Sequence, residues 1–147
     1  MFDTVRYSSD FYPDWLPAPL CKVFLVRGPA GGGKSTYCAE AATDFDAIID
    51  LDECFEKVCG VFGHDAGPEF LAEALIERNL QLQALSRKST GVAYFINSAP
   101  KKSDVYFWES ILTAETVSIV PTLETILSRD ISDRRKFLAQ DWFREAE

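Results

Sequence analysis

Glycines at positions 28, 31, 32 and 33, followed at once by Lys34, Ser35 and Thr36, set the tightest limit on what this chain can fold into. Upstream, Lys22-Val23-Phe24-Leu25-Val26 is a short apolar run rich in β-branched and aromatic residues, which predicts a strand; downstream, Ser35 to about Ala42 reads as a helix. Gly28 to Ser35 fits the spacing G-x-x-x-x-G-K-[ST]. The chemistry needs that order. Glycines let successive backbone amides close around phosphate oxygens, and the start of the next helix adds the positive end of its dipole. Lys34 is then expected to reach the β- and γ-phosphates of a nucleotide and the Ser35 hydroxyl to ligate Mg²⁺, with Gly28, Gly31, Gly32, Gly33, Lys34, Ser35 and Thr36 forming the phosphate cradle. The rival reading, a flexible glycine loop with a chance lysine, does not require a strand before the loop and a helix after it.

The rest of the chain repeats the alternation. Phe45 to Leu51 predicts a second strand, Glu53 to Cys59 a short helix and Gly60 to Gly67 a loop. Pro68 suits a first helical turn, and Glu69 to Arg87 keeps helical spacing through Leu71, Leu75, Leu82 and Leu85. Val92 to Ile96 is a continuous apolar run, as expected of a strand covered on both faces. Ser103 is placed to cap a helix to about Leu112, Thr116 to Val120 predicts a fourth strand, and 121–147 reads as a helical end. Strands alternating with helices imply parallel units, hence an α/β domain of three layers with about four parallel strands flanked by helices. One domain is expected, with 1–20 as an irregular arm: Pro13, Pro17 and Pro19 interrupt it, and it holds Phe2, Tyr7, Phe11, Tyr12 and Trp15, so that either an aromatic stacks on a nucleobase or the arm covers an apolar edge or makes a subunit contact.

Composition excludes some partners. The 147 residues are 47% hydrophobic and 26% charged, with no stretch near the ~20 apolar residues that span a bilayer, so no membrane partner is expected. Met-Phe-Asp-Thr-Val-Arg at the start lacks the pattern of a secretion signal, which predicts a cytoplasmic protein. Cys21, Cys38, Cys54 and Cys59 have neither C-x-x-C nor zinc spacing and read as thiols in a reducing compartment. A net charge of −8 argues against a broad basic track along nucleic acid while leaving room for a local contact at Arg87-Lys88, Lys101-Lys102 or Arg134-Arg135-Lys136.

Two further groups carry chemistry. Asp50, Asp52 and Glu53 arrive at the carboxyl end of the second strand, where open α/β sheets bind their ligands. Asp52 could take a proton from a substrate hydroxyl, with Asp50 serving the metal shell; the alternative is that these acids cap the next helix. Arg129 and Arg134, on the helical end, could fork onto the oxygens of a transferring phosphoryl group, as a mobile lid does; the alternative is a solvated basic face, and Arg135 and Lys136 divide evenly between the two.

Gly-Pro-Ala-Gly-Gly-Gly-Lys-Ser-Thr, then Ile-Ile-Asp-Leu-Asp-Glu, then Ile-Val-Pro-Thr-Leu-Glu-Thr-Ile-Leu-Ser-Arg-Asp with further arginines, resembles the small P-loop kinases encoded by bacteriophages. The pattern is similar to the kinase domain of phage polynucleotide kinase and to phage kinases that phosphorylate hydroxymethyl groups on DNA bases, over roughly residues 22–140. The resemblance implies a P-loop NTPase fold, ATP with Mg²⁺, and transfer of the γ-phosphate to a hydroxyl of DNA or of a nucleoside or nucleotide, in the host cytoplasm if the protein is phage-encoded. It matches Asp52 to the general base and Arg129 and Arg134 to the lid arginines. Two positions depart from the pattern: Asn97 ends the third strand where many P-loop proteins place an aspartate, and Phe55 stands where polynucleotide kinases can carry an arginine. A nucleotide-driven ATPase or switch acting through a protein partner is the alternative function.

Overall fold

A computed structural model describes residues 9–63 and 65–146. Phe2 and Tyr7 of the expected arm, His64 in the expected loop and Glu147 lie outside them. Ten main elements follow in order: β1 (Lys22–Arg27), α1 (Lys34–Ala41), β2 (Ala47–Asp50), α2 (Leu51–Cys59), α3 (Leu71–Ala84), β3 (Val92–Ile96), α4 (Lys102–Leu112), β4 (Glu115–Ser118), α5 (Leu123–Leu127) and α6 (Asp133–Glu145). Single 3₁₀ turns at Pro68–Phe70 and Leu85–Arg87 extend α3 at both ends, so the expected 69–87 helix is one α-helix between two tighter turns.

All strand pairs are parallel, in the order β2-β3-β1-β4. Alternation along β1 and β3 divides the core between two faces. Val23, Leu25, Ala93 and Phe95 pack with Trp108 and Leu112 of α4 and with Leu82 and Leu85 from the α3 side. Val26, Tyr94 and Ile96 point the other way, against Cys38 of α1. Helices on both faces of a four-stranded parallel sheet give the three-layer α/β architecture that the alternating sequence predicts. A smaller cluster of Cys54, Phe55, Ala66 and Ala74 joins α2 to α3. None of the helices described is long and apolar enough to cross a membrane, and all four cysteines are free thiols.

The register positions the site. Asp50 is level with Ile96, and Ile96 with Val26, so β2, β3 and β1 end in one row. Whatever follows each strand projects from the same carboxyl edge: the glycine loop after β1, the acids after β2, and Asn97-Ser98 after β3.

Several boundaries differ from expectation. Phe45 is not in the second strand: it lies in a turn, 70% exposed, because Asp46 accepts hydrogen bonds from the Thr43 amide at 2.8 Å and the Val92 amide at 2.8 Å. That carboxylate turns the chain and ties β2 to the start of β3. Ser103 does not cap α4, which begins one residue earlier, at Lys102; the Lys101 amide donates to Asp104 Oδ2 at 3.4 Å. The helical end is two helices, with Thr122 capping α5 and Ser132 capping α6. Residues 9–11 of the arm are helical rather than irregular, and the chain then runs without regular structure to Leu20.

Candidate functional site

Gly28 departs from β1 with φ 152°, and a Cβ there would stand 2.1 Å from the Ile119 carbonyl oxygen, so only glycine lets the loop leave between β1 and the end of β4. Gly33 serves as the N-cap of α1 in the left-handed region, φ 104°, and brings no capping side chain. The first helical bond runs from the Tyr37 amide to the Gly33 carbonyl at 2.9 Å. The amides of Lys34, Ser35 and Thr36 precede it at the positive end of the helix, with no acid in the first turn to answer them. An anion fits that opening.

Lys34 folds back across its own loop and donates to the carbonyls of Gly28 at 2.7 Å and Pro29 at 2.9 Å. Desolvation pushes its pKa down to about 8, against the attraction of Asp50 and Asp52. Ser35 and Thr36 are exposed at the opening turn of α1.

Asp50 is 6% exposed and caps α2, its carboxylate accepting the Asp52 amide at 3.1 Å. Burial, followed by the charge of Asp52, raises its pKa to about 6. The capping alternative weighed for these acids is therefore what Asp50 does structurally, while Asp52 occupies the first turn of α2 and projects against Gly63: a Cβ on that glycine would stand 2.0 Å from Asp52 Oδ1. Backbone passes so close to the carboxylate only because residue 63 has no side chain.

A cleft of about 620 Å³ runs along the carboxyl edge of the sheet, and Lys34, Asp50, Asp52, Asn97 and Arg134 all line it. Arg134 comes from the first turn of α6. Arg129, its expected companion, sits elsewhere: it lies in the break between α5 and α6 and donates to the Gly31 carbonyl, bracing the glycine loop from outside. Arg135 is close enough to Lys34 for its charge to lower that lysine's proton affinity, and its Nε is buried with no hydrogen-bond partner among the described residues. An orphaned guanidinium donor beside an anion-ready loop suits a phosphate oxygen.

For a metal, the donors are the Ser35 hydroxyl and the Asp50 carboxylate. No cluster of three or more His, Cys, Asp or Glu side chains suited to a metal occurs among the described residues. Hard oxygen donors in ones and twos fit Mg²⁺, which relies on water and substrate phosphates for its remaining positions.

Sequence reasoning missed the residues that hold α6 over this edge. Trp142 Nε1 donates to the Ser98 carbonyl at 2.7 Å, and the Arg27 guanidinium lies 5.0 Å from the Trp142 ring while its Nε donates to the Ala99 carbonyl at 3.0 Å. Asn97 completes the arrangement by accepting the Ala99 amide at 3.0 Å, at a residue held in the left-handed region with φ 36°. Phe55 is a core residue facing α3 and not part of the cleft wall. The arm does cover an apolar edge: Leu16 joins the core, and Tyr12 meets Phe107 edge-on and donates to Asp104 Oδ1 at 2.6 Å. Phe11 and Tyr12 also face the cleft. No family model and no curated protein matches this chain.

Proposed function

We propose that the chain is a P-loop kinase, of the kind its resemblance to small phage kinases implies, that moves the γ-phosphate of ATP to a hydroxyl of nucleic acid or of a nucleoside or nucleotide. The observation that carries this reading is one cleft shared by Lys34, Asp52 and Arg134, drawn from three separate elements. Phosphoryl transfer asks little covalent chemistry of a protein; it asks for clamped phosphates, an oriented nucleophile and countercharge.

The glycine loop and the opening turn of α1 bind the triphosphate, and Lys34 exchanges its bonds to Gly28 and Pro29 for phosphate oxygens. Arg134 and Arg135 supply charge from α6, and Arg129 holds the loop in shape. Asp52 orients the acceptor hydroxyl and takes its proton. Mg²⁺, held by Ser35 and Asp50, would neutralise charge on the phosphates. The α6 helix closes the site against water.

The test is label transfer from γ-labelled ATP to a panel of nucleosides, nucleotides, DNA ends and hydroxymethylated DNA. Transfer to a member of the panel is expected, and Asp52→Asn should lower kcat by about 10²- to 10⁴-fold with ATP binding nearly unchanged. Phosphate release from ATP alone, unresponsive to every acceptor, would instead favour the switch or ATPase alternative.

A further inference from the structure

Where the arm meets the cleft stands a cation that the proposed phosphate clamp does not use. Arg78 of α3 is 2% exposed and lines the cleft floor together with Trp108, Phe11 and Tyr12. Its Nε and Nη2 donate to Asn79 Oδ1 at 3.1 and 3.0 Å, and Nη2 also reaches the carbonyls of Asp10 and Phe11 at 2.9 and 3.1 Å. Its plane lies over Trp108, 5.1 Å from the ring centroid, and near Phe95 at 5.9 Å. Nη1 makes no hydrogen bond among the described residues, yet it is not sealed from solvent. Nor does any carboxylate of the described residues form an ion pair with the guanidinium. Among the described residues the cation is answered by carbonyls, an amide and ring faces, with Asp10 attracting it without forming an ion pair, and a buried charge so weakly compensated is costly unless something brings a closer anion.

We infer that this end of the cleft is an anion subsite in which Arg78 Nη1 binds a phosphate group carried by the phosphoryl acceptor. The inference rests on the kinase reading for the word acceptor, and on the geometry alone for the subsite. Trp108 fixes the guanidinium plane, Asn79 and the arm carbonyls fix its rotation, and Tyr12, 43% exposed at the rim, offers a ring face to an adjoining base. Asp10 and Phe11 reach Arg78 through their carbonyls, so the arm is part of the subsite and not merely a cover. The charge is dependable: desolvation lowers the Arg78 pKa only to about 10, well above neutrality. An acceptor with its own phosphate, whether a mononucleotide or a strand, is thereby preferred to a free nucleoside.

Binding of thymidine 3′,5′-bisphosphate, trithymidylate and thymidine to the full chain, measured by calorimetry without ATP, tests this. The two phosphate-bearing probes should bind at least tenfold more tightly than thymidine, and that advantage should survive in Lys34→Ala and disappear in Arg78→Met. Equal gains from both probes assign the preference to any phosphate; a gain confined to trithymidylate assigns it to a strand. An advantage lost in Lys34→Ala but kept in Arg78→Met would place the phosphate in the glycine loop and overturn the subsite. Should Arg78→Met fail to fold, the guanidinium ¹⁵N resonances of Arg78 in the wild-type protein must shift with bisphosphate and not with thymidine; unmoved resonances overturn it equally. Because no step requires turnover, a protein that binds through Arg78 but transfers no label refutes the kinase reading and leaves the subsite standing.

Discussion

Asp50 is a carboxylate whose burial works against its charge. As the N-cap of α2 it accepts the Asp52 amide, a bond that favours the ionised form, and in the proposed kinase it would have to be ionised to serve the metal shell. Burial, aided by the neighbouring charge of Asp52, raises its pKa to about 6, against about 3.9 for an exposed aspartate. The folded protein therefore holds this proton longer than the unfolded chain does. The stabilising contribution is present below about pH 4 and is lost as pH rises through 6. At pH 8 the ionised, desolvated carboxylate costs on the order of 3 kcal/mol by the same linkage. Asp50→Asn keeps an oxygen for the Asp52 amide and discards the charge, so the variant should be more stable than wild type at pH 8, by up to about 3 kcal/mol. The difference should close toward pH 4. Urea melts at several pH values read this directly, and a variant no more stable at pH 8 than at pH 4, relative to wild type, refutes the assignment. Phosphoryl transfer should fall in the same variant, which would mark the buried charge as kept for function at the expense of stability.

Among the elements, α6 links packing most directly to the proposed chemistry, because Arg134 and Arg135 ride on its first turn and Trp142 anchors its last. The indole bonds Ser98, which follows β3, and stacks under Arg27 at the end of β1. Trp142→Phe preserves an aromatic for Arg27 and removes the hydrogen bond, an expected loss of about 1 to 1.5 kcal/mol in stability. If α6 positions the arginines, kcat should fall well beyond the few-fold that such a loss implies, while Arg27 and the sheet stay in place. Paired urea melts and transfer rates separate the two effects, and activity that merely tracks stability would reduce α6 to a cover. The sequence displays part of this element and hides the rest. Leu123, Ile126 and Leu127 advertise helix, but the break at Arg129–Ser132 was legible only in Ser132, a cap residue standing directly before Asp133. Apolar runs placed all four strands, whereas the start of β2 depended on Asp46 reaching back to Thr43 and across to Val92 at the head of β3, a contact 46 residues away that no local pattern announces. Arg78 was illegible for a simpler reason. An arginine on the stripe of Leu71, Leu75, Leu82 and Leu85 is placed to face inward, but nothing local tells what receives it there; Trp108, Phe95 and the arm carbonyls do so across the fold.

For the whole molecule, the sheet order converts dispersed sequence into one locus. With β1 between β3 and β4, and β2 beyond β3, the glycine loop is flanked by every segment that leaves the carboxyl edge. The glycine and lysine spacing was legible because it is local, and Asp52 because strands of a parallel sheet must all end on the same side; Arg134 was read with Arg129 as one of a pair on the helical end, and only Arg134 lines the cleft. The cleft that joins them, with the arm closing its far side, depends on tertiary packing. A net charge of −8 hides the local sign at the loop, where Arg135 stands close enough to Lys34 to lower that lysine's hold on its proton. Lys34 is desolvated there, with Asp50 and Asp52 its attracting charges and Arg135 opposing them, and a bound polyphosphate would add countercharge. MgATP at 100 times its dissociation constant should therefore add about 2.7 kcal/mol, or roughly 5 to 10 °C in melting temperature for a chain of this size. Lys34→Ala should melt normally without nucleotide and lose most of that gain, whereas Asp52→Asn, which acts on the acceptor, should retain it. Calorimetric melts of the three proteins, with and without MgATP, give the pattern. Equal gains in all three would mean that the nucleotide binds somewhere other than the glycine loop.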